Sequence, residues 1–364
     1  MEAAMGQVTV RDVAKRAGVS ISTVSRVLTG SAPVSKELYE RVVAAIEELG
    51  YRPNALARGL RARRTAILGL IVPDISNPFF GQLAKVVEQQ AHAHGYSIVL
   101  CNSQNSRERE LQYLDLLSRQ RVDGLMVVAA GVSRADLEGF TAATGAPVLA
   151  LDRRIPDFGG PFVGADPYPG AVEAVGHLLA LGHRRIGILR GKTGSASADE
   201  RFEALLRACR AHGLTEAPWI WSGEYSLETG IEAGNAWAAL PADQRPTAII
   251  AASEFSAYGL IQSVFSHGLS VPDDLSVVGF DNTPFAQLLR PALTVIGQPI
   301  ERMGELAVET MLRLLARAEE ETLPAVAPLP GRVAWERRRE PVQDQVLPTE
   351  LVVRSSTGPA PAAR

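Results

Sequence analysis

The chain has 364 residues, 46% of them hydrophobic, with 37 Lys and Arg against 40 Asp and Glu. That length allows two or three domains with real cores, and no apolar run approaches the roughly 20 residues a membrane helix needs. Cys101 and Cys209 are too few and too far apart for a disulfide framework and read as buried free thiols.

The opening MEAAMGQVTV lacks a basic start followed by an apolar core, so no secretory signal is read and the expected location is the cytoplasm. His92 and His94 stand two apart and do not share a helix face, so no zinc pattern is read. The motifs G-x-x-x-x-G-K-[ST], H-E-x-x-H and G-x-S-x-G are missing. No enzyme, no cofactor and no metal are therefore expected. The net charge of -3 hides an asymmetry. Residues 1–64 carry 11 Lys/Arg against 6 Asp/Glu, while the other 300 carry 26 against 34. A basic head on an acidic body fits a phosphate-binding module attached to a body that does not bind nucleic acid.

In chain order, Thr9 with Asp12 three residues on predicts a capped helix start. Val10, Val13, Ala14 and Ala17 fall on one face of that helix, and Gly18 supplies a left-handed end. Ser20 caps a second helix. Its inner face is Val24, Val27 and Leu28, and Ile21, Ser22, Thr23, Ser25 and Arg26 point outward. That short, polar set with one long cation suits a recognition helix approaching base edges in a major groove. A third helix runs from a cap at Ser35 through Leu38, Val42, Ala45, Ile46 and Leu49 to Gly50. On spacing and charge alone, a helical hairpin packed on the body fits the same pattern.

Pro53 and Asn54 begin a further short helix, with Leu56 and Leu60 on one side and Arg58, Arg61, Arg63 and Arg64 around the rest. A helix so short and charged is marginal when free, and a solvated basic linker is the alternative.

From residue 66, short apolar runs alternate with amphipathic stretches. The runs are AILGLIVPD, SIVLCNS, GLMVVAA, PVLALDR, RIGILRG, TAIIAASE, LSVVGFDN and LTVIGQP. This alternation predicts parallel sheets covered by helices, and about ten strands divide into two α/β subdomains. Ligands of open α/β sheets bind beyond the carboxyl ends of the strands. Those ends carry Asn77, Phe79, Phe80, Asp152, Arg153, Ser253, Glu254 and Asp281, with Arg201 opening a helix and Tyr225 after WSGE. Carboxylates, an amide and arginines pair with neighbouring hydroxyls while aromatic rings cover apolar faces, so the group suits a sugar-like molecule. Each residue also has a structural reading, as a helix cap, a core ring or a surface aromatic.

The stretch VTVRDVAKRAGVSISTVSRVLTGSAPVSKELYERVVAAIEELGYRPNALARGLRARRT resembles the head of the LacI/GalR family of bacterial transcription regulators. NPFF, LDRR, HLLALGHRRIGIL, VPDDLSVVGFDN and ELVVRSST resemble that family's periplasmic-binding-protein-like body, so the resemblance spans residues 8–315 and 347–357. It implies that Ile21, Ser22 and Arg26 read bases and that Thr9, Ser20, Thr23, Ser25 and Ser35 hold phosphates. It also implies that residues 53–65, with Asn54, Leu56, Arg58 and Leu60, form a hinge helix whose Leu60 wedges into the minor groove. The effector cleft would be lined by Asn77, Phe79, Phe80, Asp152, Arg153, Arg201, Tyr225, Ser253 and Asp281.

The implied organisation is a head at 1–52, a hinge at 53–65 and a body at 66–364. In the body, one subdomain takes about 66–163 and 297–322, the other about 164–296 and 323–357, with 358–364 a disordered tail. The implied function is a dimeric regulator, a repressor by the family's commoner behaviour, that binds a palindromic double-stranded DNA operator under control of a sugar. A purine effector and a solute-binding protein of the same body fold are the alternatives. Three departures stand out: Asn282 where the family often has an acid, Ala204 where it usually has glycine, and the long stretch 318–348, expected to be an exposed loop.

Overall fold

The computed structural model describes residues 8–29, 34–49, 65–214, 218–322 and 342–361. The hinge residues Asn54, Leu56, Arg58 and Leu60 lie outside them. The chain divides into two compact units, residues 1–66 and 67–364.

The first unit holds α1 (Val10–Ala17), α2 (Ile21–Thr29) and α3 (Lys36–Leu49). Their apolar spacings converge on one small core of Val13, Ala14, Ala17, Val24, Val42 and Ala45, with Val10, Val27, Ile46 and Leu49 packed around it. The backbone N–H and hydroxyl of Thr9 both donate to the Asp12 carboxylate, at 2.8 and 2.6 Å, which fixes the start of α1. Gly18 ends it at φ 63°, and the Arg41 guanidinium of α3 donates to the carbonyls of Ala17 and Gly18. The left-handed turn is what favours glycine; a Cβ there would also come within 2.7 Å of the guanidinium, whose flexible end would have to move.

The second unit has two lobes, each built on a six-stranded sheet. The first sheet takes β1 (Ile67–Val72), β2 (Ser97–Asn102), β3 (Gly124–Val127), β4 (Val148–Leu151), β5 (Phe162–Asp166) and β11 (Gln345–Pro348), all parallel, in the order β11-β5-β4-β3-β1-β2. The second takes β6 (Ile186–Arg190), β7 (Trp219–Ser222), β8 (Ala248–Ala251), β9 (Ser276–Phe280), β10 (Thr294–Gly297) and an antiparallel edge strand β12 (Glu350–Val352), in the order β12-β10-β9-β8-β6-β7. The central strands are buried on both faces because helices cover both, which is why they read as unbroken apolar runs.

The chain crosses between lobes at Asp166–Tyr168, Gly297–Ile300 and Pro348–Glu350. Thr349 joins two of these crossings. Its hydroxyl donates to the Asp166 carbonyl at 2.9 Å and accepts the Gly170 N–H at 3.0 Å. Sheet membership shifts the expected subdomain boundaries. Residues 164–166 and 345–348 belong to the first lobe, not the second, because β5 and β11 pair there.

The stretch 318–348 is not all loop. A helix runs over Ile300–Thr322, and β11 occupies its far end; residues 323–341 lie outside the description. The end of the chain also differs from expectation. Through residue 361 it is held to the second lobe, with the Val277 N–H on the Ser356 carbonyl, the Ala360 N–H on the Leu181 carbonyl, and His183 between Thr247 and the Gly358 carbonyl. Both cysteines are free and buried, and burial pushes the Cys101 thiol up to about 11.

Candidate functional site

On the head, Val24 turns into the core while Ser22 and Arg26 are exposed on the opposite side of α2, and Ile21, also exposed, sits at its first turn beside Val24. Thr9, Ser20 and Ser35 are exposed, and Thr23 and Ser25 are half-buried. The Ser20 hydroxyl accepts the Thr23 N–H at 3.1 Å and bonds the hydroxyls of Ser22 at 2.7 Å and Thr23 at 2.9 Å. The result is a helix N-terminus dressed with small hydroxyls, with one guanidinium a turn later. That surface matches phosphates by N–H and hydroxyl donors and a guanine edge by the planar fork.

In the body, a pocket is lined by Asp152 and Ala165 of the first lobe, by Ser197, Glu200, Arg201 and Phe280 of the second, and by Pro167, Gln298 and Thr349 at the crossings. Strand ends place most of these groups. Asp152 follows β4 with φ 61°, and Asp281 follows β9 with φ 78°; both are left-handed positions that aspartate tolerates better than most residues. Arg201 lies in α8 (Ala196–Ala211). One of its Nη atoms donates to the Ala252 carbonyl at 2.7 Å and the other to Asp281 at 3.3 Å. Its guanidinium stands 4.0 Å from the Phe280 ring centre and 5.4 Å from that of Tyr225. Asp281 also accepts from the Gln298 amide at 2.7 Å. Arg201 and Asp281 are 7% and 3% exposed, so this ion pair is desolvated and depends on its extra hydrogen bonds.

Asp152 and Arg153 form a looser pair of charges. Burial pushes the Asp152 carboxyl up to about 6, against the pull of Arg201 and Arg153. Burial likewise lowers Arg153, which reaches Asn105 and the Ala129 carbonyl only at 3.4 Å and faces the Phe80 ring. The Arg153 Nε, the Tyr225 hydroxyl and the Ser197 hydroxyl are buried without a hydrogen-bond partner among the described residues. The Tyr225 ring packs against Gly191, where a Cβ would come within 2.5 Å of it.

The expected residues thus divide. Asp152 and Arg201 line the pocket, and Asp281 and Tyr225 join it through Arg201. Asn77 and Ser253 instead accept backbone N–H groups at helix starts, from Phe79 at 3.0 Å and from Ser256 at 3.2 Å. Phe79 is in the core of the first lobe, edge-on to Phe80 at 5.0 Å. Gln298, Ser197, Glu200 and Thr349 belong to the pocket and were not singled out from sequence. Only Gln298 carried a signal, a polar residue just past an apolar strand. The four buried charges, two guanidiniums and two aspartates, balance, with Glu200 an exposed acid at the pocket wall, and the unpartnered donors call for oxygen acceptors. The set suits a neutral molecule bearing several hydroxyls.

Comparison with known proteins matches the head and the body to two kinds of domain. The pattern of bacterial regulatory proteins of the lacI family matches residues 9–54, and that of a periplasmic binding protein-like domain matches residues 175–357. The HTH-type transcriptional repressor PurR of Haemophilus influenzae (strain PittEE) is 33% identical over 313 residues, covering 86% of this chain and 92% of the relative. The ribose operon repressor of Halalkalibacterium halodurans is 34% identical over 351 residues, covering 96% and 97%. The Lac repressor dimer bound to operator and the anti-inducer ONPF superposes with a TM-score of 0.80 at 28% identity, covering 96% and 99%. A LacI family transcriptional regulator from Enterococcus faecium with bound ribose superposes at 0.68 and 25% identity, covering 80% and 99%. Among the described residues no helix is long and apolar enough to cross a membrane.

Proposed function

The chain belongs to the lacI family of bacterial regulatory proteins, and from that premise we propose that its body takes a small neutral polyhydroxylated effector, a sugar, in the pocket between the lobes. The protein is a DNA-binding transcriptional regulator under small-molecule control, and its relatives are named as repressors. One observation carries the effector class: the buried charges Asp152, Arg153, Arg201 and Asp281 balance, with the exposed Glu200 at the wall, while the Arg153 Nε, Tyr225 hydroxyl and Ser197 hydroxyl stand unpartnered beside them. The ribose held by the Enterococcus faecium regulator supports the same class. The effector is bound and released unchanged.

Two copies read the halves of a palindromic operator in the cytoplasm. Ile21, Ser22 and Arg26 take the base edges. Thr9, Ser20, Thr23, Ser25 and Ser35 take phosphates, and the segment 53–65, with Asn54, Leu56, Arg58 and Leu60, serves the minor groove. The body lobes turn about the crossings held by Thr349. An effector that favours one lobe arrangement by a few kcal/mol is enough to switch operator occupancy.

Selection of the full-length protein on random duplex DNA tests the operator half of this reading, and a recovered palindrome is the expected result. A thermal-shift panel of pentoses, hexoses and purines tests the other half. Stabilisation by a pentose or hexose is expected. Stabilisation by a purine alone would replace the sugar with a base stacked on Tyr225.

A further inference from the structure

Glu254 is the first residue of α10 (Glu254–Ser266) and is 3% exposed, yet it meets no cation in an ion pair among the described residues. Its carboxylate accepts three hydrogen bonds: from the Thr283 N–H at 2.7 Å, the Thr283 hydroxyl at 2.5 Å and the Tyr258 hydroxyl at 2.7 Å. Thr283 is two residues beyond Asp281, in the loop that leaves β9. Asn282 between them accepts from the Arg354 guanidinium at 2.6 Å, and Arg354 in turn holds the Leu293 carbonyl at 2.7 Å. Asp281 therefore keeps its left-handed backbone with the next two residues fastened, one to α10 and one to the C-terminal segment.

An ordinary surface loop needs no such fastening. A buried carboxylate costs several kcal/mol unless it is fully hydrogen-bonded, and three donors on one group are what offset that cost. Two of those donors come from a single loop residue, so the carboxylate defines where that loop lies to within a hydrogen bond. We propose that Glu254 is the positioning residue of the effector site: it fixes the loop that aims Asp281 at Arg201 and the ligand, and so sets effector affinity. This rests on the reading that Asp281 contacts the effector.

The clamp has a protonation state of its own. Burial pushes the Glu254 carboxyl up to about 7, with Asp281 adding to the rise while Thr283 and Tyr258 oppose it. The groups facing it are Tyr258 on its own helix, Asp281 and Thr283 on the loop, and Arg354 on the C-terminal segment. A proton on Glu254 removes an acceptor from the clamp. Effector affinity should therefore fall as the pH drops through about 7, separately from any step that Asp152 adds near 6.

The test uses full-length Glu254→Gln and Thr283→Val proteins, with D-ribose as the calorimetric probe and hydrogen–deuterium exchange as the second readout. Glutamine keeps the shape but points an N–H₂ at a donor; valine keeps the shape of threonine but removes its hydroxyl. Both variants should speed exchange of the amides of Asp281, Asn282, Thr283 and Phe285 about tenfold, with the sheet amides unchanged. Glu254→Gln should weaken D-ribose about tenfold and remove the inflection near pH 7. Unchanged exchange at 281–285 in both variants would overturn the proposal. So would wild-type D-ribose affinity and pH profile in Glu254→Gln. If the wild-type protein ignores D-ribose, the choice of ligand fails, and the exchange result alone decides the role of Glu254.

Discussion

The two recognition surfaces of this protein are built on opposite plans. On the head, the residues that meet the outside world lie within six positions of one helix and are exposed: Ile21, Ser22 and Arg26 stand outside the core that holds Val24. In the body, the residues of the pocket come from strand ends more than 100 residues apart, and they hold one another as much as they face a ligand. Arg201 touches Asp281, Ala252, Phe280 and Tyr225 at once. Binding and folding are thus separable on the head and joined in the pocket.

Substitutions can break or sharpen that contrast. The largest effect should come from Arg201→Ala, which leaves Asp281 buried beside Gln298 without its cation. Removing one partner of a buried pair costs about 3–5 kcal/mol, so chemical denaturation should show a much weaker body. The free head's exchange pattern should be unchanged. A body as stable as wild type would break the contrast.

Asp152→Asn should act more moderately and in two directions. Its folded-state carboxyl lies at about 6, above the ordinary 3.8. The folded protein therefore holds this proton more tightly than the unfolded chain, and ionised Asp152 opposes folding above about 6. Asparagine should then raise stability at pH 7 by of order 1–3 kcal/mol while weakening the effector. Wild type should gain from this group as the pH falls from 7 toward 4, and the variant should not. Thermal melts across that range read both effects.

On the head the prediction inverts. Arg26→Ala should cost about 1–3 kcal/mol on the specific operator, visible as a weaker binding isotherm, with no change in melting temperature. An equal loss on random DNA would assign Arg26 to phosphate. The smallest effect belongs to Arg16→Ala. Its ion pair with Glu48 is half exposed on both sides, where screening by solvent and salt leaves little net gain. Neither melting nor binding should move measurably.

The same contrast explains what could be read from sequence. The head was legible because its signals are local: a capping pair three residues apart, a glycine at a helix end, valines and alanines at helical spacing. The alternating body and the acids at its strand ends were legible for the same reason. Asn77 and Ser253 were ambiguous because a cap and a ligand contact use the same oxygen at the same place. Glu254 stands among the polar strand-end groups in the sequence, but its role was hidden because its chief partner, Thr283, lies 29 residues away. Glu110 was invisible for the same reason. Its buried carboxylate accepts the N–H groups of Ala130, Gly131 and Val132 at 2.6–2.9 Å, steadying the loop whose Ala129 carbonyl faces Arg153. The end of the chain reads as loose by composition, yet His183 and Leu181 hold it, and no local pattern carries that information.

The third crossing at Thr349 has a consequence for synthesis on the ribosome. The first lobe lacks its edge strand until Pro348 has emerged, and the second lacks its own until Val352 has. The three helices of the head are complete by Leu49. From Leu49 to Pro348, then, a nascent chain carries the three head helices with neither sheet of the body complete. A chain cut short anywhere between those points would hold the head helices without one complete sensor sheet.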